Sequence, residues 1–251
     1  MIAQFIIDEL TSVADFEQAK FLQGFFKCGK GQYGEGDRML GIRVPITRDV
    51  VKRCPKLSLS EIQILLNNEW HEVRLAGLLF LVKQFKPAKE AERKEIFEFY
   101  LKNARCANNW DLVDVTCRDV IGLYLLDKTD RSTLYRLSAS DNLWEQRIAI
   151  VSTWTFIKHH QYSDTLELSK LLINHKHDLM HKAVGWMLRE VGNKDKDTLV
   201  EFLEEYKNVL PRTALRYSIE KFSPEERQYF LEKQLKIKKQ HSTKSIKRIG
   251  C

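Results

Sequence analysis

Apolar residues recur along most of this chain at spacings of three and four, the period of one face of an α-helix. The segments "EIQILLNN", "RLAGLLFLVKQF", "RKEIFEFYLKNA", "RIAIVSTWTFIK" and "DTLELSKLLINH" all follow it, and each predicts an amphipathic helix. The strict alternation of a half-buried strand is almost absent. Chain breakers are scarce, with 11 glycines and 5 prolines in 251 residues. Many of the glycines gather in "KCGKGQYGEGDRMLGIRVP", residues 27–45, which predicts a loop with an extended end ahead of Pro45. That loop has neither the G-x-x-x-x-G-K-[ST] spacing nor the preceding strand of a phosphate cradle, so no nucleotide site is expected there.

The helices come in pairs, and the second member of each pair opens alike. Compare "WHEVRLAGLLFL" (70–81), "NNWDLVDVTCRDVIG" (108–122), "NLWEQRIAIVSTW" (142–154), "LMHKAVGWMLREVG" (179–192) and "LPRTALRYSIEKF" (210–222). From Arg74 to Asp111 is 37 residues, then 36 to Arg147, 35 to Lys182 and 34 to Arg216. A period of this length with two helices per unit predicts an all-α fold, an α-solenoid or superhelix of HEAT-like repeats. Residues 1–235 are expected to form one such domain, and 236–251 a basic, flexible tail.

Charge changes the picture less than its total suggests. The net charge is +7, but residues 236–251 hold six Lys/Arg and no acid, which leaves about +1 for everything before them. A nucleic-acid partner must therefore be argued from how the body's cations are arranged. In the expected stack the second helices line a concave surface. Their polar residues are Glu72, Arg74, Asp111, Asp114, Arg147, Lys182, Arg189, Arg212 and Arg216, and from the third unit onward cations dominate. With the N–H groups of the helix starts, such a row predicts a basic groove that binds a nucleic-acid backbone in a salt-dependent way. Taken singly, each charge is better explained by capping and by ion pairs between neighbouring repeats; as a periodic row, the charges favour a binding surface.

Other classes are excluded more simply. A composition of 43% hydrophobic and 30% charged residues is that of a soluble globular protein. No run of eighteen apolar residues predicts a membrane span. The start "MIAQFIIDEL" lacks the basic segment of a secretory signal, so the expected location is cytoplasmic. Cys28, Cys54, Cys106, Cys117 and Cys251 are odd in number and include no C-x-x-C pair, which suits reduced thiols. His71, His159, His160, His175, His177 and His181 have no ligand spacing, and the "HH" and "HKH" groups read as surface polar residues. No metal and no cofactor are expected.

The tryptophans carry the candidate chemistry. Trp70, Trp110 and Trp144 fall near the starts of second helices, and Trp186 lies a turn into its own. Trp154, within "IVSTWTFI", is expected to be core. Trp110 has Asp114 one helical turn away, and Trp186 has Lys182. Two aromatic faces flanking a carboxylate suit a cation, through ring quadrupole and opposite charge together. Asp111 reads only as a helix-start residue.

The pieces "LGIRVP", "NNWDLVD", "LWEQRIAI" and "HKAVGWMLREVG" occur in an order that resembles the DNA alkylation repair enzyme family of AlkD-type glycosylases, over residues roughly 20–220. The resemblance implies HEAT-like repeats and removal of positively charged 3- and 7-alkylpurines from duplex DNA by hydrolysis of the N-glycosidic bond. It places the catalytic aspartate on Asp114, the two site tryptophans on Trp110 and Trp186, and the groove arginine on Arg147. Lys182, Arg189, Arg212 and Arg216 are the expected DNA contacts in the basic row. "NNWD" has a single tryptophan where some members have two. The expected protein is a monofunctional, cofactor-free monomer whose partner is alkylated duplex DNA. Two other readings stand beside it, a HEAT-like protein that binds damaged or branched DNA without excision, and a protein-interaction scaffold.

Overall fold

A computed structural model describes residues 2–232, so the tail expected over 236–251 lies outside the described residues. Every regular element among them is helical, apart from one isolated bridge between Arg38 and Trp70. None of these helices is long and apolar enough to cross a membrane. The chain divides into two compact units: residues up to 132 with 140–148, and residues 133–139 with 149 onward.

The first unit holds α1 (Ile2–Ser12), α2 (Phe16–Phe25), α3 (Val44–Arg53), α4 (Leu59–Leu66), α5 (His71–Phe85), α6 (Glu90–Lys102) and the short α7 (Trp110–Asp114). A π-helical turn, Arg118–Gly122, and the single turn α8 (Leu123–Leu125) follow. At the centre is α5, in which every residue except Lys83 is buried. A helix apolar nearly all round must be enclosed, and α1, α3, α4 and α6 enclose it. The starts follow local capping chemistry: the side chains of Asp15, Ser58 and Asn109 accept backbone N–H groups at the starts of α2, α4 and α7.

The loop between α2 and α3 is held by a buried acid. Glu72, in the first turn of α5, accepts the backbone N–H groups of Leu40, Gly41 and Ile42 at 2.8, 2.9 and 3.1 Å. Gly41 has φ +86°, and a Cβ there would lie 2.0 Å from the carbonyl oxygen of Asp15. Only glycine fits such a position. "LGIRVP" is thus the strap that lies along the start of α5.

The stretch 108–122 is not the single helix its period predicts. It stops after Asp114, where the Thr116 hydroxyl bonds back to the Leu112 carbonyl at 2.6 Å and meets Tyr100 Oη at 2.9 Å. A hydroxyl that competes with the helical ladder in this way favours a break. "RIAIVSTWTFIK" is likewise divided at Thr153, whose hydroxyl bonds the Ile150 carbonyl at 2.6 Å.

The second unit contains α9 (Ser132–Ser138), the end of α10 (Leu143–Ser152), α11 (Trp154–Lys158), α12 (Ser163–Leu171), α13 (Asp178–Lys194), α14 (Lys196–Tyr206) and α15 (Arg212–Ser218). A further helix begins at 224 and is described as far as 232. Helix α13 buries Met180, Ala183, Val184, Met187, Leu188 and Val191, the period of one face, against α11, α12, α14 and α15. Its backbone comes close to α15 at Gly185, where a Cβ would meet the Ala214 carbonyl oxygen at 2.5 Å.

Candidate functional site

Each residue of "NNWD" ties the start of α7 to another part of the first unit. Asn108 Oδ1 accepts from Arg74 Nη2 at 3.0 Å. Asn109 caps α7 with its oxygen, and its amide donates to the Phe26 carbonyl at 3.2 Å. Trp110 is half-buried beside Phe25, in an edge-to-face arrangement, and Phe26, whose ring is tilted to it by 39°, with ring centroids at 5.8 and 5.3 Å. Asp111 Oδ2 meets His71 Nε2 at 2.8 Å. A short helix has little stability of its own, so these tertiary bonds, and not propensity, hold it.

One turn beyond Trp110, Asp114 meets Arg147 in a two-pronged ion pair. Arg147 Nε donates to Oδ1 and Nη2 to Oδ2, both at 2.8 Å. The side chains are only 6% and 14% exposed, with Asp114 the more open. Burial pushes the Asp114 carboxyl above its ordinary range, Arg147 opposes that shift, and Asp111 adds to it. The arrangement is a desolvated carboxylate held by an arginine, one turn from an aromatic face.

Behind it lies a buried network that the sequence did not announce. His71 Nδ1 meets Asp37 Oδ2 at 2.8 Å, the same distance as its Nε2 contact with Asp111. Arg74 donates to Asp37 and to the carbonyls of Asn68 and Glu69, both at 3.0 Å. Burial works against charge on His71, but Asp111 and Asp37 prevail and raise it to about 9. For Asp37 burial is likewise overcome, by His71 and Arg74, and its carboxyl sits below the usual range. Glu72 and Arg74, expected along the groove, are 2% and 7% exposed and face inward. No spacing marked His71, because its partners come from a loop 34 residues earlier and a helix 40 residues later.

The remaining expected residues lie in the second unit. Half-buried Trp186 donates Nε1–H to Glu190 at 3.1 Å, and Lys182 pairs with Asp178 at 2.9 Å. Arg189 pairs with Glu220 and lies 3.4 Å from Glu190. Arg212, Arg216 and Arg227 line a cleft of about 500 Å³ with Thr213, Tyr217 and Glu220, and Arg212 donates to the Leu231 carbonyl at 2.9 Å. Of the sequence-predicted site, the structure brings Trp110, Asp114 and Arg147 together, and it puts Arg212 and Arg216 on one cleft. Trp154, expected in the core, is only half-buried, with Lys158 Nζ 4.0 Å from its ring centroid. The described cysteines are all free thiols.

The fold and these sites define a helical-repeat protein. Consistent with this, a solved structure, a predicted DNA alkylation repair enzyme from Enterococcus faecalis, matches with a TM-score of 0.65 at 16% identity. The match covers 84% of this chain and 97% of that one, and at such identity it establishes the fold alone. The family model for DNA alkylation repair enzyme matches residues 6–222, and the chain belongs to that family. No curated protein matches the chain.

Proposed function

We propose that this member of the family is a DNA glycosylase that excises positively charged alkylpurines, such as 3-methyladenine and 7-methylguanine, from duplex DNA. The observation that carries the reading is the Asp114–Arg147 pair, a desolvated carboxylate one turn from the Trp110 ring. An N3- or N7-alkylated purine is already cationic, so it departs without a general acid. The C1′–N bond breaks, its electron pair neutralises the departing base, and positive charge develops on the sugar. Asp114 stabilises that charge electrostatically and orients water, whose oxygen bonds C1′ while its proton passes to the carboxylate or to solvent. Arg147 favours the ionised form that this role requires. Trp110 adds cation–π attraction of about 1–2 kcal/mol in a desolvated site.

In this reading Lys182, Arg189, Arg212 and Arg216 contact the phosphate backbone of a HEAT-like groove, and Arg147 serves both the acid and the DNA. The protein acts as a monomer, without metal or cofactor, in the cytoplasm. The test is chromatography of the bases released from methylated duplex DNA by the wild type and by Asp114→Asn. Release of 7-methylguanine by the wild type alone, with DNA binding kept by the variant, is the expected result. Equal release by both removes Asp114 from the mechanism. DNA binding with no release by either identifies a non-catalytic binder.

A further inference from the structure

The network behind Asp114 has a feature that packing alone does not require. Both ring nitrogens of His71 face carboxylate oxygens at 2.8 Å. A carboxylate only accepts, and a neutral imidazole has a single N–H, so both contacts are hydrogen bonds only when the ring carries two protons. The side chains of His71, Asp37 and Asp111 are 2%, 1% and 9% exposed, so the three groups face one another with little access to water. The Phe26 ring stacks on the imidazole at 5.2 Å, a placement that favours the cation.

We propose that Asp37, His71 and Asp111 form a positioning clamp for Asp114, in which an imidazolium held between two carboxylates fixes the helix that carries the reacting acid. The proposal rests on the excision reading of Asp114. His71 is the first residue of α5, the most buried helix of the unit, and Asp111 lies in the first turn of α7. One buried ion therefore joins the rigid centre of the fold to the helix bearing Trp110 and Asp114. The second oxygen of Asp111, Oδ1, is buried without a hydrogen-bond partner among the described residues, so His71 is what orients that carboxylate.

The surrounding charges balance. Asp37 and Asp111 face protonated His71 and Arg74. Glu72 is occupied by three backbone N–H groups. The nearby Cys28 thiol is pushed up to about 11 by burial and remains neutral. Arg147 and Arg118 stand on the far side, at Asp114. Loss of the His71 proton leaves a net negative charge around Asp111, whose field already disfavours ionisation of Asp114. It also breaks one of the two bonds of the clamp. None of the three residues touches substrate in this scheme; they act through Asp114.

The experiment is single-turnover excision of 7-methylguanine at saturating enzyme across a pH series, for the wild type, His71→Gln and Asp111→Asn, with enzyme-free loss subtracted. DNA affinity is measured in parallel. The wild-type rate should fall along an alkaline limb near pH 9, where His71 loses its proton. His71→Gln should lose about tenfold or more in rate at neutral pH with DNA affinity unchanged, and its alkaline limb should disappear. Asp111→Asn, which keeps His71 but removes the strongest of the groups that raise it, should slow excision similarly and move the alkaline limb to lower pH. A folded His71→Gln that keeps both the rate and the alkaline limb overturns the clamp. Nitrogen NMR of the His71 ring in the wild type tests it without relying on any variant to fold. Two protonated nitrogens at neutral pH support the clamp, and a neutral ring there overturns it. A wild type that releases no base at any pH, yet shows the doubly protonated ring, refutes the excision reading and leaves the clamp supported.

Discussion

Arg147→Ala removes the guanidinium from a carboxylate that water barely reaches, and its cost should depend on pH. The native pair makes two bonds of 2.8 Å between side chains 6% and 14% exposed, so solvent screens it little. Removing one partner of a buried pair costs about 3–5 kcal/mol. At ~2–4 °C per kcal/mol for a chain of this size, the melting temperature should drop by roughly 6–20 °C. That figure applies only where Asp114 is ionised. Burial already raises its pKa, and Arg147 is the largest influence opposing that shift, so the variant's carboxyl should titrate higher still. A raised folded-state pKa means the folded protein holds the proton more tightly than the unfolded chain. The penalty is therefore full above that pKa and fades as pH falls through it. Melts of the wild type, Arg147→Ala, Asp114→Asn and the double variant at about pH 8 and about pH 5 measure this, and the cycle should give a coupling of about 1–3 kcal/mol at the higher pH. Base release by Arg147→Ala should show its acid limb displaced upward in pH. A loss of stability equal at both pH values, with coupling near zero, would refute the claim that Arg147 controls the ionisation of Asp114.

Glu72→Ala should cost about 3 kcal/mol or more in urea unfolding, because it strands the buried N–H groups of Leu40, Gly41 and Ile42; Glu72→Gln, which keeps an acceptor, should cost less. His71 rises from 6.5 to about 9 on folding, so its contribution is complete below pH 6.5 and is lost as pH rises through about 9. Between those limits the unfolding free energy should fall by about 3 kcal/mol, and His71→Gln should flatten the profile. Because the proposed chemistry draws on the charge of the lesion, release of a neutral base such as uracil from duplex DNA should be negligible; efficient uracil release would contradict it. The Asp114→Asn comparison described above remains the direct test of catalysis.

Much of the helical architecture was legible because its cause is local. The spacing of apolar residues in "RLAGLLFLVKQF" and "HKAVGWMLREVG" requires helices with buried faces, and α5 and α13 have them. The breaks within 108–122 and at Thr153 were not legible. A threonine hydroxyl bonding back to its own helix leaves the apolar period intact, so the pattern continues through the interruption. At the site, the one-turn spacing of Trp110 and Asp114 could be read directly, and the pairing of Asp114 with Arg147, 33 residues on, could not.

By itself, then, the sequence determined the all-helical class, the pairing of helices and the family, since each is written in short-range pattern and motif. Which charged residues face solvent was decided only by the tertiary structure. Glu72 and Arg74 share the helical period of groove residues, yet the loop carrying Asp37 and Gly41 folds over them and turns both inward. His71 showed no ligand spacing, and became the centre of a buried ion cluster when residues 37 and 111 met on either side of it. Burial is a property of what the rest of the chain brings to a position, and a charge removed from water must find its partner there.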